Sequence, residues 1–474
     1  MQKQDRIRHQ LAAIVSPQQI QPWDAIAGSL QDQISQAIAP THTPTCIVYP
    51  QTQAELAEIV TCIHQQGWTM LPCGNGSKLH WGGLGKDIDV VISTSRLTQI
   101  IEHAVGDLTI TVEAGITLAA LQQHLAPVNQ WLPLDPNYAN SATLGGILAT
   151  ADAGVLRQRY GGARDMVIGL SMVRTDGQLA KAGGRVVKNV AGYDLMKLLT
   201  GSWGSLGMIS QVTLRLYPQP PASQTVYLRG SEKAIQSVTA TLFASSLTPT
   251  AATVLPEGTA QCLTLVDNAT PNTTDNLILA VQFQSIPVSL EQQVGQLEEW
   301  GQQQQLHSTR LEGTAESTLW HQLHTHMESQ LPTPSPTPTD GLMSGLEQQS
   351  VTCKVGVLPA EVVLTLAQLQ RQYPGIKGWI NIGNGLGMLQ IDLGTTAQDS
   401  GGVCKLTLDG LGKMRSLCEA NGGFLTLLAA PKSWKQQLEP STLWGYSGNA
   451  LPVMTRLKQQ FDPEEKLSPG RFLV

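Results

Sequence analysis

Apolar positions between residues 45 and 115 recur in a strand–helix–strand rhythm. Cys46-Ile47-Val48-Tyr49-Pro50 reads as a buried strand closed by proline. Thr52-Gln53-Ala54-Glu55 follows as a capping box able to satisfy the free N–H groups of a helix start. Leu56, Ile59, Val60 and Ile63 then give that helix one apolar face. Trp68–Leu71 and Asp89–Ile92 read as short buried strands, the first ending in a glycine-rich turn. Leu108, Ile110 and Val112 alternate as a half-buried strand before Glu113-Ala114-Gly115, and Thr117 opens a helix through His124.

A second block, 131–218, is dense in glycine and closes on the alternation Val212, Leu214, Leu216. Beyond it the pattern repeats. Residues 222–312 read as strand, helix, strands, helix, strand. Residues 350–430 follow a similar order: Cys353–Val357, a helix from Pro359 to Gln372, two strands around Asn384-Gly385, a helix from Lys405 to Ala420, and Phe424–Leu428. Alternating prolines at 332, 334, 336 and 338 favour an extended, solvated linker between the halves, near 331–340. The predicted class is α+β: an N-terminal helical segment at 1–41, a cofactor domain at 42–220, an α+β domain of two similar halves at 221–430, and a C-terminal return at 431–474.

With 474 residues the chain is expected to hold more than one core. Its 41% apolar and 14% charged content fits a globular protein, and its 45 glycines and 27 prolines suit many short connections. A net charge of -6 offers no basic footprint for nucleic acid. The first fifteen residues read as a surface helix rather than a signal peptide, and no run of about 18 apolar residues predicts a membrane span. Cysteines 46, 62, 73, 262, 353, 404 and 418 are scattered without a CxxC pair, so Fe–S and zinc–thiolate sites are not expected, and a reducing cytoplasm is the expected setting.

The candidate chemistry begins at Pro72-Cys73-Gly74-Asn75-Gly76-Ser77-Lys78. Glycines let the backbone turn sharply and approach a ligand closely, while successive N–H groups form an anion nest. Leu79 three residues beyond Gly76, and the lack of a following helix, break the dinucleotide fingerprint of a Rossmann NAD site. Further segments keep it company: Ser141-Ala142-Thr143-Leu144-Gly145-Gly146, Arg159-Tyr160-Gly161-Gly162, the hairpin-like Asp176-Gly177, Lys188-Asn189-Val190-Ala191-Gly192-Tyr193-Asp194, and Gly201-Ser202-Trp203-Gly204-Ser205-Leu206-Gly207-Met208-Ile209.

In that order these segments resemble the PCMH-type FAD-binding domain shared by vanillyl-alcohol oxidase, D-lactate dehydrogenase and glycolate oxidase flavoproteins. The likeness covers roughly residues 42–220 and resumes at Phe461-Asp462-Pro463 and Leu467-Ser468-Pro469-Gly470-Arg471. Within the family it is nearest to the FAD-binding E subunit of glycolate oxidase. The resemblance implies two α/β subdomains clasping extended FAD, and a cap domain of two ferredoxin-like halves. It implies that Pro72, Gly74, Asn75, Gly76 and Ser77 lie at the pyrophosphate, with Pro133, Ala142, Thr143, Gly145 and Gly146 along the adenosine and ribityl side. Gly154, Tyr160 and Gly161 would lie near the cofactor, and Ile209 along the adenine–ribose portion. Ser77 stands where relatives commonly carry a flavin-linked histidine and cannot form that bond, so FAD is expected to be non-covalent; loop roles are expected for Cys73 and His80.

Relatives that oxidise D-2-hydroxy acids often carry Gly-Asp-Gly-Asn-x-His and Glu-His-Gly, whose histidines bind a metal. Here the corresponding stretches are Asn381–Met388 and Gly422–Ala430, which contain no histidine. No metal site is therefore expected, and His321, His324 and His326 read as a solvated helix before the linker. Arg471 is a candidate for neutralising a substrate carboxylate or a reduced flavin. Tyr193 and Asp194 read as a helix start. The implied function is an FAD-holding subunit of a glycolate or D-2-hydroxy-acid oxidase complex, partnered by a second flavoprotein and an iron–sulfur subunit. It would be cytoplasmic, touching a membrane only through a partner. A self-sufficient flavin oxidoreductase with another substrate, or a non-catalytic FAD-holding subunit, stands as the alternative.

Overall fold

The computed structural model describes residues 3–185, 193–263, 276–328, 350–393, 406–445 and 450–472. Lys188–Gly192, the proline-rich linker near 331–340, Cys404 and the predicted helix start at Lys405 lie outside them. The architecture is mixed α+β, as expected, and divides into two compact units. One comprises residues 1–153, 161–219 and 435–474; the other comprises residues 154–160 and 220–434.

The first unit carries a four-stranded sheet among the described residues, in the order β1 (Ile20–Pro22), β2 (Cys46–Val48), β4 (Val90–Ser93), β3 (Met70–Cys73). β4 is parallel to both β2 and β3, a pairing that needs crossover connections. Helix Gln53–Gln65 supplies one. Thr52 caps it by accepting from the Glu55 N–H, and Leu56, Ile59, Val60 and Ile63 are all buried, as the spacing predicts. The helix Lys3–Leu11 differs from expectation. Ile7 and Leu11, one turn apart, are fully buried with Leu56 and Ile59, so this polar-looking helix contributes a face to the core.

Among the described residues, a five-stranded antiparallel sheet follows in the order β5 (Ile100–Ala104), β6 (Thr109–Glu113), β10 (Met208–Arg215), β8 (Val167–Val173), β9 (Leu179–Gly183). Asp176-Gly177 turns the β8–β9 hairpin, and a short pair joins β7 (Gln130–Trp131) to β11 (Tyr217–Pro218). The C-terminal return runs along β3: Met70 donates to Lys466 O (2.8 Å), and Ser468 donates back to Met70 O (2.9 Å).

The second unit is built on one eight-stranded antiparallel sheet among the described residues. Its first half is β12 (Ala222–Ser231), a helix, β13 (Ala251–Pro256), β14 (Asn276–Ser285), a helix, β15 (His307–Glu312). Its second is β16 (Ser350–Gly356), a helix, β17 (Lys377–Asn381), β18 (Leu386–Asp392), a helix, β19 (Phe424–Ala429). The spatial order β15-β12-β14-β13-β17-β18-β16-β19 makes each half a ferredoxin-like βαββαβ unit. The halves meet at β13 and β17, where Thr253 faces Asn381 and Val254 faces Ile380. Residues 154–160 brace this seam: Gln158 accepts from the Ala252 N–H (2.9 Å), and Asn381 Nδ2 donates to Val155 O (3.3 Å).

Arg229 and Glu257 form a buried ion pair in this unit, and Glu257 is anchored by its own N–H donating to Gln370. Removing one partner strands a charge in the interior. Glu257→Ala is expected to destabilise the second unit by about 3 kcal/mol, read as a lower urea midpoint at unchanged slope.

Candidate functional site

The strand β3 ends where the backbone must change direction, and Gly74-Asn75-Gly76-Ser77-Lys78 makes that turn. Gly76 takes φ +83°, a region that side chains disfavour. Gly74 lies directly against Thr143; a Cβ there would collide with the threonine hydroxyl. Asn75 Nδ2 donates to Ser141 O (2.9 Å), and Ser93 donates to Gly74 O (2.9 Å). The turn is thus fastened to the 141–146 segment, 66 residues further on. Among the described residues, the N–H groups of Asn75, Gly76, Ser77 and Lys78 donate to no protein acceptor. Four adjacent open donors form a cradle for an anion.

A pocket opens beside them. It brings together Pro72, Gly74, Asn75, Gly76, Ser77, Thr143, Gly145, Gly146, Ile209 and Arg471 from the expected set. Thr143 caps the helix Leu144–Thr150 through the Gly146 N–H, while Gly145 donates to Ala114 O. The 145–146 glycines therefore have their donors engaged, and they serve close approach instead. Pro133 and Ala142 are buried outside the lining. Gly161 stands apart from it at φ +84°, beside Asp165. Gly154 and Tyr160 belong to the second unit, where Tyr160 donates to Gln284 (3.2 Å).

Three lining residues, Thr94, Ala149 and Thr150, carry no local signal in the sequence, whereas Trp203 and Met208 fall within the glycine-rich 201–209 segment without being singled out there. Trp203 holds φ +56° and lies edge-on to Trp444, with ring centroids 4.6 Å apart. An indole in the left-handed region is uncommon, and the glycines around it are the one hint of unusual backbone. Asp194 accepts from the Lys197 N–H and starts the helix Leu195–Leu199, while Tyr193 is 91% exposed. His321 and His324 lie on the helix Gly313–Thr325, and His326 caps its end.

The groups flanking the turn have settled protonation states. Burial pushes the Cys73 thiol up to about 12, so it stays protonated and a poor nucleophile. His80 is buried against Tyr138, whose hydroxyl lies 3.2 Å from Nε2. Burial first, then the charges of Lys435, Arg471 and Lys78, lower its pKa to about 3. Lys78 is buried with Asp152 at 2.6 Å, and Asp152 also accepts from the Asn137 backbone (2.9 Å) and side chain (3.0 Å). Arg471 is buried and donates to the carbonyls of Ala37 (3.2 Å), Leu79 (3.0 Å) and Trp81 (2.9 Å). Burial lowers its pKa to about 10, which leaves it charged at neutral pH.

Residues 44–183, which build the turn and much of this pocket, match the family described as the FAD binding domain. The match gives the cofactor as FAD, and the open N–H cradle and glycine approach suit its pyrophosphate. Glycolate oxidase subunit GlcD of Bacillus subtilis is 28% identical over 220 residues, 46% of this chain and 46% of that one. Glycolate oxidase subunit GlcE of Escherichia coli is 38% identical over 125 residues, 26% of this chain and 36% of that one. The chain thus spans less than half the length of the curated relatives it matches. Among solved structures, alkyldihydroxyacetonephosphate synthase superposes with a TM-score of 0.68 at 16% identity, over 98% of this chain and 86% of that one. That likeness shows a shared fold.

Gly74→Val is expected to drive Thr143 out of place and to weaken FAD binding by roughly 10- to 100-fold, since about 1–3 kcal/mol of overpacking falls on the binding surface; flavin fluorescence titration measures it. For His80 the folded pKa lies below the unfolded one, so the unfolded chain takes up the proton first. Stability is retained above pH 6.5 and lost as pH falls towards about 3. Between pH 6.5 and 5 this group should remove roughly 2 kcal/mol, a loss that His80→Asn abolishes in denaturant melts at the two pH values.

Proposed function

We propose that the chain is the FAD-holding subunit of a glycolate or D-2-hydroxy-acid oxidase complex, binding FAD without a covalent bond and passing electrons to a partner. The observation that carries the reading is the row of open N–H groups at 75–78, set beside Gly74 in a pocket that also draws on 143–146 and 203–209. In this reading those N–H groups hold the phosphate oxygens, Gly74 and the 145–146 glycines let the cofactor lie against the backbone, and Trp203 walls the pocket. Ser77 and the protonated Cys73 thiol offer no group to bond the ring. When bound, FAD supplies a hydride acceptor suited to an α-hydroxy carbon.

The partner role draws on the second unit. Relatives that act on hydroxy acids often place metal-binding histidines where this chain has Asn381–Met388 and Gly422–Ala430. The Asn381 side chain here accepts from the N–H groups of Gly383 (2.8 Å) and Asn384 (3.3 Å), locking the turn between β17 and β18. Leu386 and Met388 neither bind a hard metal nor move protons. The similarity to subunits named GlcD and GlcE favours a shared assembly, with a second flavoprotein and an iron–sulfur chain as its other members. No helix among the described residues is long and apolar enough to cross a membrane. The proposed setting is the cytoplasm, with any membrane contact made through a partner.

The purified chain should be yellow, with an absorbance band at roughly 450 nm, and should release all its flavin on denaturation. Glycolate or D-lactate should bleach it only when the partner subunits are added. A colourless protein that gains no thermal stability from added FAD overturns the reading, because a ligand of the native state must stabilise it. Bleaching of the lone chain overturns the subunit role.

A further inference from the structure

Two cationic side chains line the pocket, Lys78 and Arg471. Lys78 has its counter-charge in Asp152. Arg471 has none among the described residues: three of its N–H groups meet backbone carbonyls, and no carboxylate lies within ion-pair distance. It is only 5% exposed. The carbonyls fix the plane of the guanidinium and partly replace its hydration, but they leave a full positive charge in the interior. Such a charge is costly unless an anion answers it. Its carbonyl partners Leu79 and Trp81 lie just beyond the 74–78 turn, which holds the guanidinium against the segment leaving that turn, and Arg471 lines the same pocket as residues 75–78. The Nε–H has no acceptor among the described residues.

We infer that Arg471 is the charge partner of the dinucleotide pyrophosphate, an assignment that rests on the FAD reading of this pocket. The turn supplies neutral donors to the phosphates, and Arg471 supplies the compensating charge. Its carbonyl bonds also tie the C-terminal return to the loop it serves. Charge-assisted contacts of this kind to phosphate are stronger than neutral ones, and a rigid guanidinium suits them.

The test compares FAD, ADP and riboflavin on the full chain, stripped of flavin, by fluorescence or calorimetric titration. Arg471→Met should weaken FAD and ADP by roughly 10- to 100-fold and leave riboflavin, which has no phosphate, unchanged. Arg471→Lys keeps the charge with a milder disturbance of the carbonyl contacts and should retain most of the ADP affinity; wild-type ADP affinity should fall with added salt. Equal losses for all three ligands, no loss for any, or an Arg471→Lys protein as weak as Arg471→Met overturns the assignment. If the wild type binds ADP but not FAD, the flavin reading fails while the phosphate role of Arg471 stands. If Arg471→Met binds FAD unchanged, the reverse holds.

Discussion

A turn can offer its backbone N–H groups to a ligand only if the protein leaves them open while holding the turn rigid by other means. At 75–78 that condition is met through side chains and carbonyls. Asn75 reaches Ser141, Ser93 reaches the Gly74 carbonyl, and Arg471 gathers the Leu79 and Trp81 carbonyls that follow. Every one of these contacts grips the loop without occupying the open donors. The parallel β2–β4–β3 core sets where the turn starts, and helix Gln53–Gln65 sets the spacing of those strands.

The C-terminal return completes the grip. Lys458 is buried, pairs with Asp462, and donates to the carbonyls of Ser205 (3.0 Å) and Leu467 (2.8 Å). Ser468 donates to Gly204 O (3.1 Å) and accompanies β3 through Met70. One short stretch of chain thereby touches both the 70–83 run and the 203–207 run, which form two sides of the pocket. Separation along the sequence is large, so these contacts stiffen the site only after the unit has folded.

Local chemistry made the turn and its neighbours legible in the sequence. Glycine spacing at 74 and 76, the Thr143 cap and the alternation of apolar residues all act over a few positions. The helix at 53–65 was readable for the same reason, although Glu55 bonds Gln51 and Gln19 rather than closing the box on Thr52. Strand edges were less so: the strand expected at Trp68–Leu71 runs Met70–Cys73, shifted where the C-terminal return pairs with it. Thr94, Ala149 and Thr150 reach the pocket through tertiary folding alone, and nothing in their immediate sequence marks them, while Trp203 and Met208 were marked only by the glycines of the 201–209 segment. The burial of Ile7 and Leu11 was hidden by the charges and glutamines around them. Arg471 could be singled out by its residue type, but its three carbonyl partners lie 390 or more residues away.

The seam of the eight-stranded sheet has its own consequence. The sheets of the two ferredoxin-like halves are joined by a short ladder at β13 and β17, and the peptide 154–160 reaches both sides of it through Gln158 and Val155. That peptide is encoded far upstream, between segments of the other unit. A gene fragment cut at the apparent boundary near Pro220 would therefore discard the brace and keep the joint. The second unit is continuous as a fold but not as a stretch of sequence, and any dissection or circular rearrangement of this chain has to carry those seven residues along.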